Sequence, residues 1–350
     1  MTSKDIVIHN ASTIVVLLKW NLQNLSKVPF NISNKLAPPK NFDYRIMLLQ
    51  RSNHLKSFPS FHVFPGGKLD EFDSDPLWKN QKVLKTNSIE DEGLPFKVAA
   101  LREMLEETNV FLDHNNEIFD RFSVDKIQNL RHKIHNDRTG KELYEFLEKN
   151  DITLNLSHLK QWARWVTPIF KGGPFVRFDT RFYIAPLQSY PLDCSVDGTE
   201  SVILDWLSPE EALEQFQLGN IYLPPPTWMT LNQLSQFKTF DQVIEHSKER
   251  EKFNFTYDAK IVQDPLSEVT GIKQQYSVFY GDHELNPNIN NNSLKNRLVF
   301  HSTTNDLRNS KTWRFYYENT LGTSSLDSIY NNTGCRSILK PNQNIPKSNL

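Results

Sequence analysis

Cysteine is scarce in this chain. Two occur in 350 residues, Cys194 and Cys335, and no Cys-x-x-Cys spacing links them. This argues against a disulfide framework and against a cysteine-built zinc site. The ten histidines supply no paired metal motif; His132 and His135 sit in a charged stretch that reads as a solvated helix. Charge imbalance is absent too. Lys+Arg number 40 against Asp+Glu 41, for a net charge of −1, so nothing pulls the whole chain toward nucleic acid or an acidic membrane surface. Long apolar runs are missing. The longest near the N-terminus, residues 14–18, falls far short of the roughly 20 needed for a membrane span. It reads as a first strand rather than a signal peptide, and the N-terminal region lacks the Arg-rich, acid-poor character of a mitochondrial presequence. No internal repeat is visible.

What is present suits a soluble intracellular enzyme. The chain is 38% hydrophobic and 12% aromatic, enough for a sizeable core. Residues 3–18 and 44–50 read as strands, joined by a polar, Pro-containing connection. Residues 95–107 read as a helix with Pro in its first turn. Residues 119–149 alternate charge with Phe122, Ile127, Leu130, Leu143, Phe146 and Leu147 and read as inserted helices. Residues 162–187 and 201–207 read as strands, and 209–216 and 227–237 as helices. From about residue 245 aromatic clusters alternate with Asn-rich loops, which predicts a β-rich appendage to about 320. Residues 321–350 read as a polar, mobile tail.

The most informative stretch is Arg102-Glu103-Met104-Leu105-Glu106-Glu107. On a helix turning roughly 100° per residue, Glu103, Glu106 and Glu107 share about one third of the circumference. Val98, Leu101 and Leu105 take the opposite side and can bury. Three like charges on one face call for a neutralising partner. A hard divalent cation such as Mg²⁺ or Mn²⁺ suits all-oxygen ligands. A plain solvated face, with Arg102 pairing Glu106 at i, i+4, remains the competing explanation. Upstream, Phe64-Pro65-Gly66-Gly67 forms a tight turn after the apolar residues 61–64, and its glycines let a ligand approach the main chain.

Together, the Phe-Pro-Gly-Gly turn and the Arg-Glu-x-x-Glu-Glu helix resemble the motif of the Nudix hydrolases. The motif would run from Gly67 through Asp73 to Arg102, Glu103, Glu106, Glu107, Asn109 and Val110. Three positions depart from it. Residues 74–101 make a far longer spacer than the family uses, and 74–94 is expected to be an inserted surface loop, which costs little. Asp73 replaces a Glu and is one methylene shorter, which bears on its pairing with Arg102. Asn109 replaces a Gly at a position expected to be left-handed, where Asn is the next best residue.

A second motif, Met47-Leu48-Leu49-Gln50-Arg51-Ser52 followed by Lys56 and Ser60, is similar to the one upstream of the box in Nudix enzymes that hydrolyse coenzyme A. Met47, Leu49, Lys56 and Ser60 are substitutions within it. A buried strand followed by two solvated basic residues would look the same. Blocks at 162–168, 177–182, 205–212 and 221–226 resemble the peroxisomal coenzyme A diphosphatase branch, the Nudix 19 type.

This resemblance implies an α/β (α+β) fold, the Nudix αβα sandwich with a mixed sheet. The Nudix domain would span 1–244, with large insertions at about 74–94 and 113–160. It implies a hydrolase cleaving coenzyme A or acyl-coenzyme A to 3′,5′-ADP and 4′-phosphopantetheine or its acylated form. Glu103, Glu106 and Glu107 with Gly67 would bind Mg²⁺ or Mn²⁺, Arg102 would belong to the catalytic group, and Arg51, Lys56, Gly66 and Gly67 would hold the nucleotide. Glu200 is a further candidate ligand or base, or else a sheet-edge glutamate. Hydrolysis of another nucleoside diphosphate, such as ADP-ribose or NADH, stays open, as does a Nudix module that binds without catalysis. The terminal Ser348-Asn349-Leu350 is similar to the Ser-Lys-Leu peroxisomal address, with Asn in the basic position, so an import receptor is an expected partner and the peroxisome, failing that the cytoplasm, the expected location.

Overall fold

In the computed structural model the described residues are 7–20, 39–85, 92–112, 122–137, 140–169, 176–188, 190–191, 194–263, 274–280, 282–285, 295–303 and 309–319. The expected tail at 321–350, with its Ser348-Asn349-Leu350 address, lies outside them.

Along the chain run β1 (Val7–Lys19), β2 (Tyr44–Arg51), β3 (His62–Val63), β4 (Gly66–Lys68) and β5 (Leu84–Lys85). Then come α1 (Leu94–Thr108), α2 (Val124–Asp137), α3 (Lys141–Lys149), β6 (Leu154–Asn155), β7 (Lys160–Val166), β8 (Val176–Leu187) and β9 (Ser201–Leu207). α4 (Pro209–Leu218), α5 (Pro225–Leu234), α6 (Phe240–Glu251), β10 (Thr256–Asp258), β11 (Lys260–Gln263), β12 (Gln274–Val278), β13 (Asn296–Ser302) and β14 (Trp313–Asn319) complete the described elements.

Two compact units result. The first comprises Met1–Trp165, Val176–Ser208 and Lys238–Thr256; the second comprises Val166–Phe175, Pro209–Phe237 and Tyr257–Leu350. In the first unit the main sheet has the order β7-β8-β1-β2-β3, with β4 on β1 and β9 on β2. β1 runs parallel to β8 and antiparallel to β2 and β4, so the sheet is mixed. Period-2 alternation sends Ile14, Val16 and Leu18 of β1 to one face. There they join Tyr183, Ala185, Leu101, Met104 and Leu105 in a core that takes α1 onto the sheet. α6 lies against β1 and β8, and its Arg250 guanidinium sits 4.5 Å over the Trp162 ring of β7.

The inserted helices share this core. Ile127, Leu130 and Ile134 of α2 and Leu143, Tyr144 and Leu147 of α3 belong to the same buried cluster as the apolar side of α1. The stretch expected to be a surface loop, 74–94, is different in its described part. Trp78, Val83 and Leu84 are buried in that core, Trp78 donates from Nε1 to the Phe72 carbonyl at 2.8 Å, and β5 pairs in parallel with β6. Trp78 lies in the 3-10 turn Pro76–Lys79, Val83 in the turn that follows and Leu84 in the two-residue β5, pieces too short to carry a helical or strand period for the sequence to reveal.

In the second unit, β11 to β14 form a four-stranded antiparallel sheet in chain order. Phe315 of β14 stacks on Phe216 of α4 at 5.4 Å and meets Trp228 of α5 edge-on at 5.8 Å. A buried bidentate pair, Arg297 to Asp282 at 2.7 and 2.6 Å, ties β13 to the preceding turn. Five strands and two short 3-10 turns are described within 256–319, and α6 runs through the boundary expected at residue 244.

Candidate active site

α1 carries the carboxylates where its period places them. Val98, Leu101 and Leu105 are buried on the sheet side. The helix ends at Asn109, whose backbone is left-handed at φ 57° and whose N–H donates to the Leu105 carbonyl at 3.0 Å. Asn therefore performs the capping that the motif gives to Gly.

Glu107 is buried and accepts the Gly66 N–H at 2.8 Å, which joins the helix to the glycine turn. Gly66 and Gly67 are both required by close approach. A Cβ at Gly66 would overlap the Ser12 carbonyl and Thr13, and one at Gly67 would overlap the Glu103 carboxylate. Glu103 and Glu106 each accept from Arg102 Nη1, at 2.9 and 2.8 Å. The remaining Arg102 donors go to Asp73, Nε at 3.0 Å and Nη2 at 2.9 Å, and to the Lys68 carbonyl at 2.9 Å. All five N–H groups of the guanidinium are thereby engaged by protein. The shorter Asp73 side chain does reach Arg102, because the Glu71–Ser74 turn brings it in; its own carboxylate also accepts the Asp70 N–H at 2.8 Å.

Arg102 is bonded to three carboxylates, Asp73, Glu103 and Glu106, and burial raises two of these together with Glu107. Burial pushes Glu103 up to about 7, with Arg102 opposing and Glu106 adding to the rise. Burial likewise raises Glu106. Glu107 is raised well above the usual carboxylate range by burial and then by Glu103, while the Gly66 N–H and Arg51 pull it down and Glu200 adds to the rise. This donor set suits a hard divalent cation. The carboxylates are buried, under-neutralised and all oxygen, and the Ser12 hydroxyl, in register with Gly67, is buried with no protein partner among the described residues. No three His, Cys, Asp or Glu side chains among the described residues are already gathered round one point as a metal cage. Arg102 Nη1 holds Glu103 and Glu106, so a cation would have to compete for them.

The other expected residues stand nearby in part. Arg51 ends β2, close enough to favour the charged form of Glu107, and its Nε donates to the Ser57 carbonyl at 3.1 Å. Lys56 is exposed in the 52–60 loop. Ser60, where the motif has Gly, adopts φ 67°, the left-handed conformation that a Gly would take without strain. Glu200 is exposed; its carbonyl accepts the Ser52 N–H at 2.7 Å, beside the pairing of Arg51 with Ser201, and its charge reaches Glu107.

Sequence reasoning missed Arg131 of α2. It is buried and donates from Nε to the Glu106 carbonyl at 2.7 Å, from Nη1 to Ser195 Oγ at 3.1 Å and from Nη2 to the Ser195 carbonyl at 3.0 Å. The signal available was the face it shares with Ile127, Ile134 and His135. That face is turned toward α1, and the His135 charge favours ionised Glu106.

With this geometry in place, comparison with known proteins is decisive. Residues 80–234 match the family described as the NUDT19 Nudix domain. That segment is a Nudix domain. The glycine turn at 64–67 lies just upstream of the matched segment. The chain is 27% identical over 240 residues to the acyl-coenzyme A diphosphatase NUDT19 of Xenopus laevis, covering 57% of this chain and 62% of that one. It is 25% identical over 280 residues to the Homo sapiens protein of the same name, covering 67% and 70%. It is 30% identical over 199 residues to the putative nudix hydrolase 7 of Caenorhabditis elegans, covering 56% and 58%. The matched region thus spans under two thirds of the frog and nematode relatives. A Nudix hydrolase structure from Alicyclobacillus acidocaldarius, at 21% identity and a TM-score of 0.51, covers 68% of this chain and 96% of that one. It bears out the Nudix αβα fold with its mixed sheet. The resemblance to the NUDT19-like branch of the Nudix superfamily is likewise borne out.

Proposed function

We propose that this Nudix domain is a divalent-metal-dependent hydrolase that cleaves the diphosphate of coenzyme A or acyl-coenzyme A, giving 3′,5′-ADP and 4′-phosphopantetheine or its acylated form. The observation that carries the reading is the joint between helix and turn: Glu107 bonded to the Gly66 N–H, with Glu103 against Gly67. The names of the frog and human relatives support the choice of substrate.

Glu103, Glu106 and Glu107, with the Gly67 carbonyl, would hold Mg²⁺ or Mn²⁺, which when bound supplies charge neutralisation and Lewis acidity at the diphosphate. The chain's own residues do the rest. Gly66 and Gly67, lacking side chains, let β1 and the Glu103 carboxylate close on β4 and so set the carboxylate helix against it. Arg102, saturated by protein acceptors, fixes Glu103 and Glu106 rather than touching substrate. Arg51 and Lys56 offer positive charge to the phosphates. Glu200, exposed and close in charge to Glu107, is placed to accept a proton from an attacking water.

The test is a panel of coenzyme A, acyl-coenzyme A, ADP-ribose and NADH, with and without Mg²⁺ or Mn²⁺, and products identified by mass. Release of 3′,5′-ADP from the first two supports the reading. Turnover of ADP-ribose or NADH alone would assign another nucleoside diphosphate, and ligand binding without turnover a non-catalytic module.

Peroxisomal location is part of the proposal where Ser348-Asn349-Leu350 forms the free C-terminus. A fluorescent protein ending in these residues should enter peroxisomes and disperse when Leu350 is deleted.

A further inference from the structure

α2 is an insertion, yet its Arg131 joins two separate parts of the site. One is the last turn of α1, through the Glu106 carbonyl at 2.7 Å. The other is Ser195, held by its hydroxyl at 3.1 Å and its carbonyl at 3.0 Å. Ser195 also donates its own N–H to the Thr108 carbonyl at 2.9 Å, so the contact is doubled beside the guanidinium. From Ser195 the chain reaches Glu200 in five residues, and that span is closed on itself. Asp197 accepts the N–H groups of Glu200 and Ser201 at 2.9 and 2.8 Å and the Thr199 hydroxyl, and Gly198 donates to the Ser201 carbonyl at 3.0 Å. At its far end the Glu200 carbonyl is fixed by the Ser52 N–H.

We propose that Arg131 is a positioning residue of the diphosphate site: it fastens the 195–200 turn to the C-terminal end of α1 and so fixes where Glu200 stands relative to the carboxylate helix. The chemistry favours arginine. The carbonyls of residues 106 and 195 and a hydroxyl lie in the reach of one planar fork, which a lysine ammonium on a flexible stem would not span. The helix that carries it is anchored by Ile127, Leu130 and Ile134 in the same core as α1, so the clamp moves with the carboxylate helix rather than with the loop.

This inference rests on the hydrolase reading above, and the experiment separates the two. Arg131→Met keeps the apolar stem and removes the fork; Arg131→Lys keeps the charge and is the second variant should Met fail to fold. For the best substrate of the panel, Arg131→Met is expected to lower kcat about ten-fold with KM changed little, in the range found when partners that orient active-site ligands are removed. Placed on Glu200→Gln, it should lower kcat little further, because both changes remove the same function. Hydrogen exchange should quicken at the amides of 195–201 in Arg131→Met while the β1 and β8 amides keep their protection. Full additivity of the two variants, or wild-type kcat in both Arg131 variants, would overturn the assignment. If the wild type hydrolyses nothing in the panel, the hydrolase reading fails by itself, and unchanged exchange at 195–201 would then refute the clamp independently.

Discussion

Asp73 and Arg102 form a bidentate pair between two buried side chains, Nε to Oδ1 at 3.0 Å and Nη2 to Oδ2 at 2.9 Å. A Cβ on Gly140, at the start of α3, would stand 3.0 Å from Asp73 Oδ1. The pocket is therefore cut to aspartate, and the inserted helix closes it. Replacing Asp73 by Asn should cost about 1–3 kcal/mol, since it breaks a charged bidentate pair to a buried guanidinium that Glu103 and Glu106 still face. Asp73→Glu, although it brings back the residue common in the Nudix motif, should also destabilise, by about 1–3 kcal/mol of overpacking against α3. Chemical denaturation of the three proteins checks this, and a Glu variant as stable as wild type would remove the steric argument.

That pair also shows where the sequence could be read and where it could not. The carboxylate face of α1 follows from helical period alone, whereas the turn expected at Gly66-Gly67 is strand β4, in register with Thr13 and Ser12 of β1. The left-handed cap at Asn109 followed from the conformational tolerance of Asn. The burial of Trp78, Val83 and Leu84 did not, because they sit in a 3-10 turn, a plain turn and a two-residue strand, each too short to show a period. Nor did the role of Arg131. A lone arginine in a charged helix looks solvated until folding brings residues 106 and 195 to it.

Glu106→Gln and Glu107→Gln should each leave a folded protein whose turnover is reduced at least about 100-fold, because each removes a charge that the diphosphate reaction needs fixed in place. Glu107→Gln has a further consequence: its amide can still accept the Gly66 N–H, so the turn should keep its place. Circular dichroism should report an intact fold in both. Near wild-type turnover with saturating Mg²⁺ would dismiss the site.

pH should act on stability through the same carboxylates. Burial raises Glu103 from 4.5 to about 7, and Glu107 moves in the same direction. Below about pH 4.5 both are protonated folded or unfolded, and the fold pays nothing for their charge. As pH rises from there through about 7, the unfolded chain releases its protons first, so stability from this source falls and is fully lost above the folded value. Mg²⁺ should therefore raise the melting temperature far more at pH 8 than at pH 5. Glu103→Gln should stabilise the metal-free protein at pH 8 relative to pH 5. Equal effects at the two pH values, read by calorimetry, would sink this account.

The two glycines of the turn should separate by phenotype. A methyl at Gly66 meets main chain, the Ser12 carbonyl and Thr13 Cα, and the backbone there is at φ 155°, so Gly66→Ala should destabilise by several kcal/mol. A methyl at Gly67 meets only the end of the Glu103 side chain. Gly67→Ala should therefore fold, displace that carboxylate and lose activity, a 1 Å misplacement being enough for about 100-fold. Melting temperature and turnover measured on both variants decide it; a stable, active Gly66→Ala would show that β4 can move away from β1.

Substrate choice should be readable in Arg51 and Lys56. Arg51 is already tied to the Ser57 carbonyl at 3.1 Å and is close enough to Glu107 to favour its charge, so it belongs to the site whatever the nucleotide. Lys56 lies exposed in the loop that Arg51 holds. If this loop receives the 3′-phosphate of coenzyme A, Lys56→Ala should weaken coenzyme A hydrolysis, chiefly through KM, and leave a nucleoside diphosphate lacking that phosphate nearly untouched. A charge-assisted contact of this kind is worth about 1.5–3 kcal/mol, or about 10- to 150-fold in kcat/KM. Arg51→Ala should impair both substrates, because it also releases the loop and removes a positive charge near Glu107. Steady-state kinetics of the two variants on coenzyme A and its 3′-dephospho form test the division. Equal losses from Lys56→Ala on both substrates would make it a general phosphate contact, and coenzyme A would lose its residue-level support.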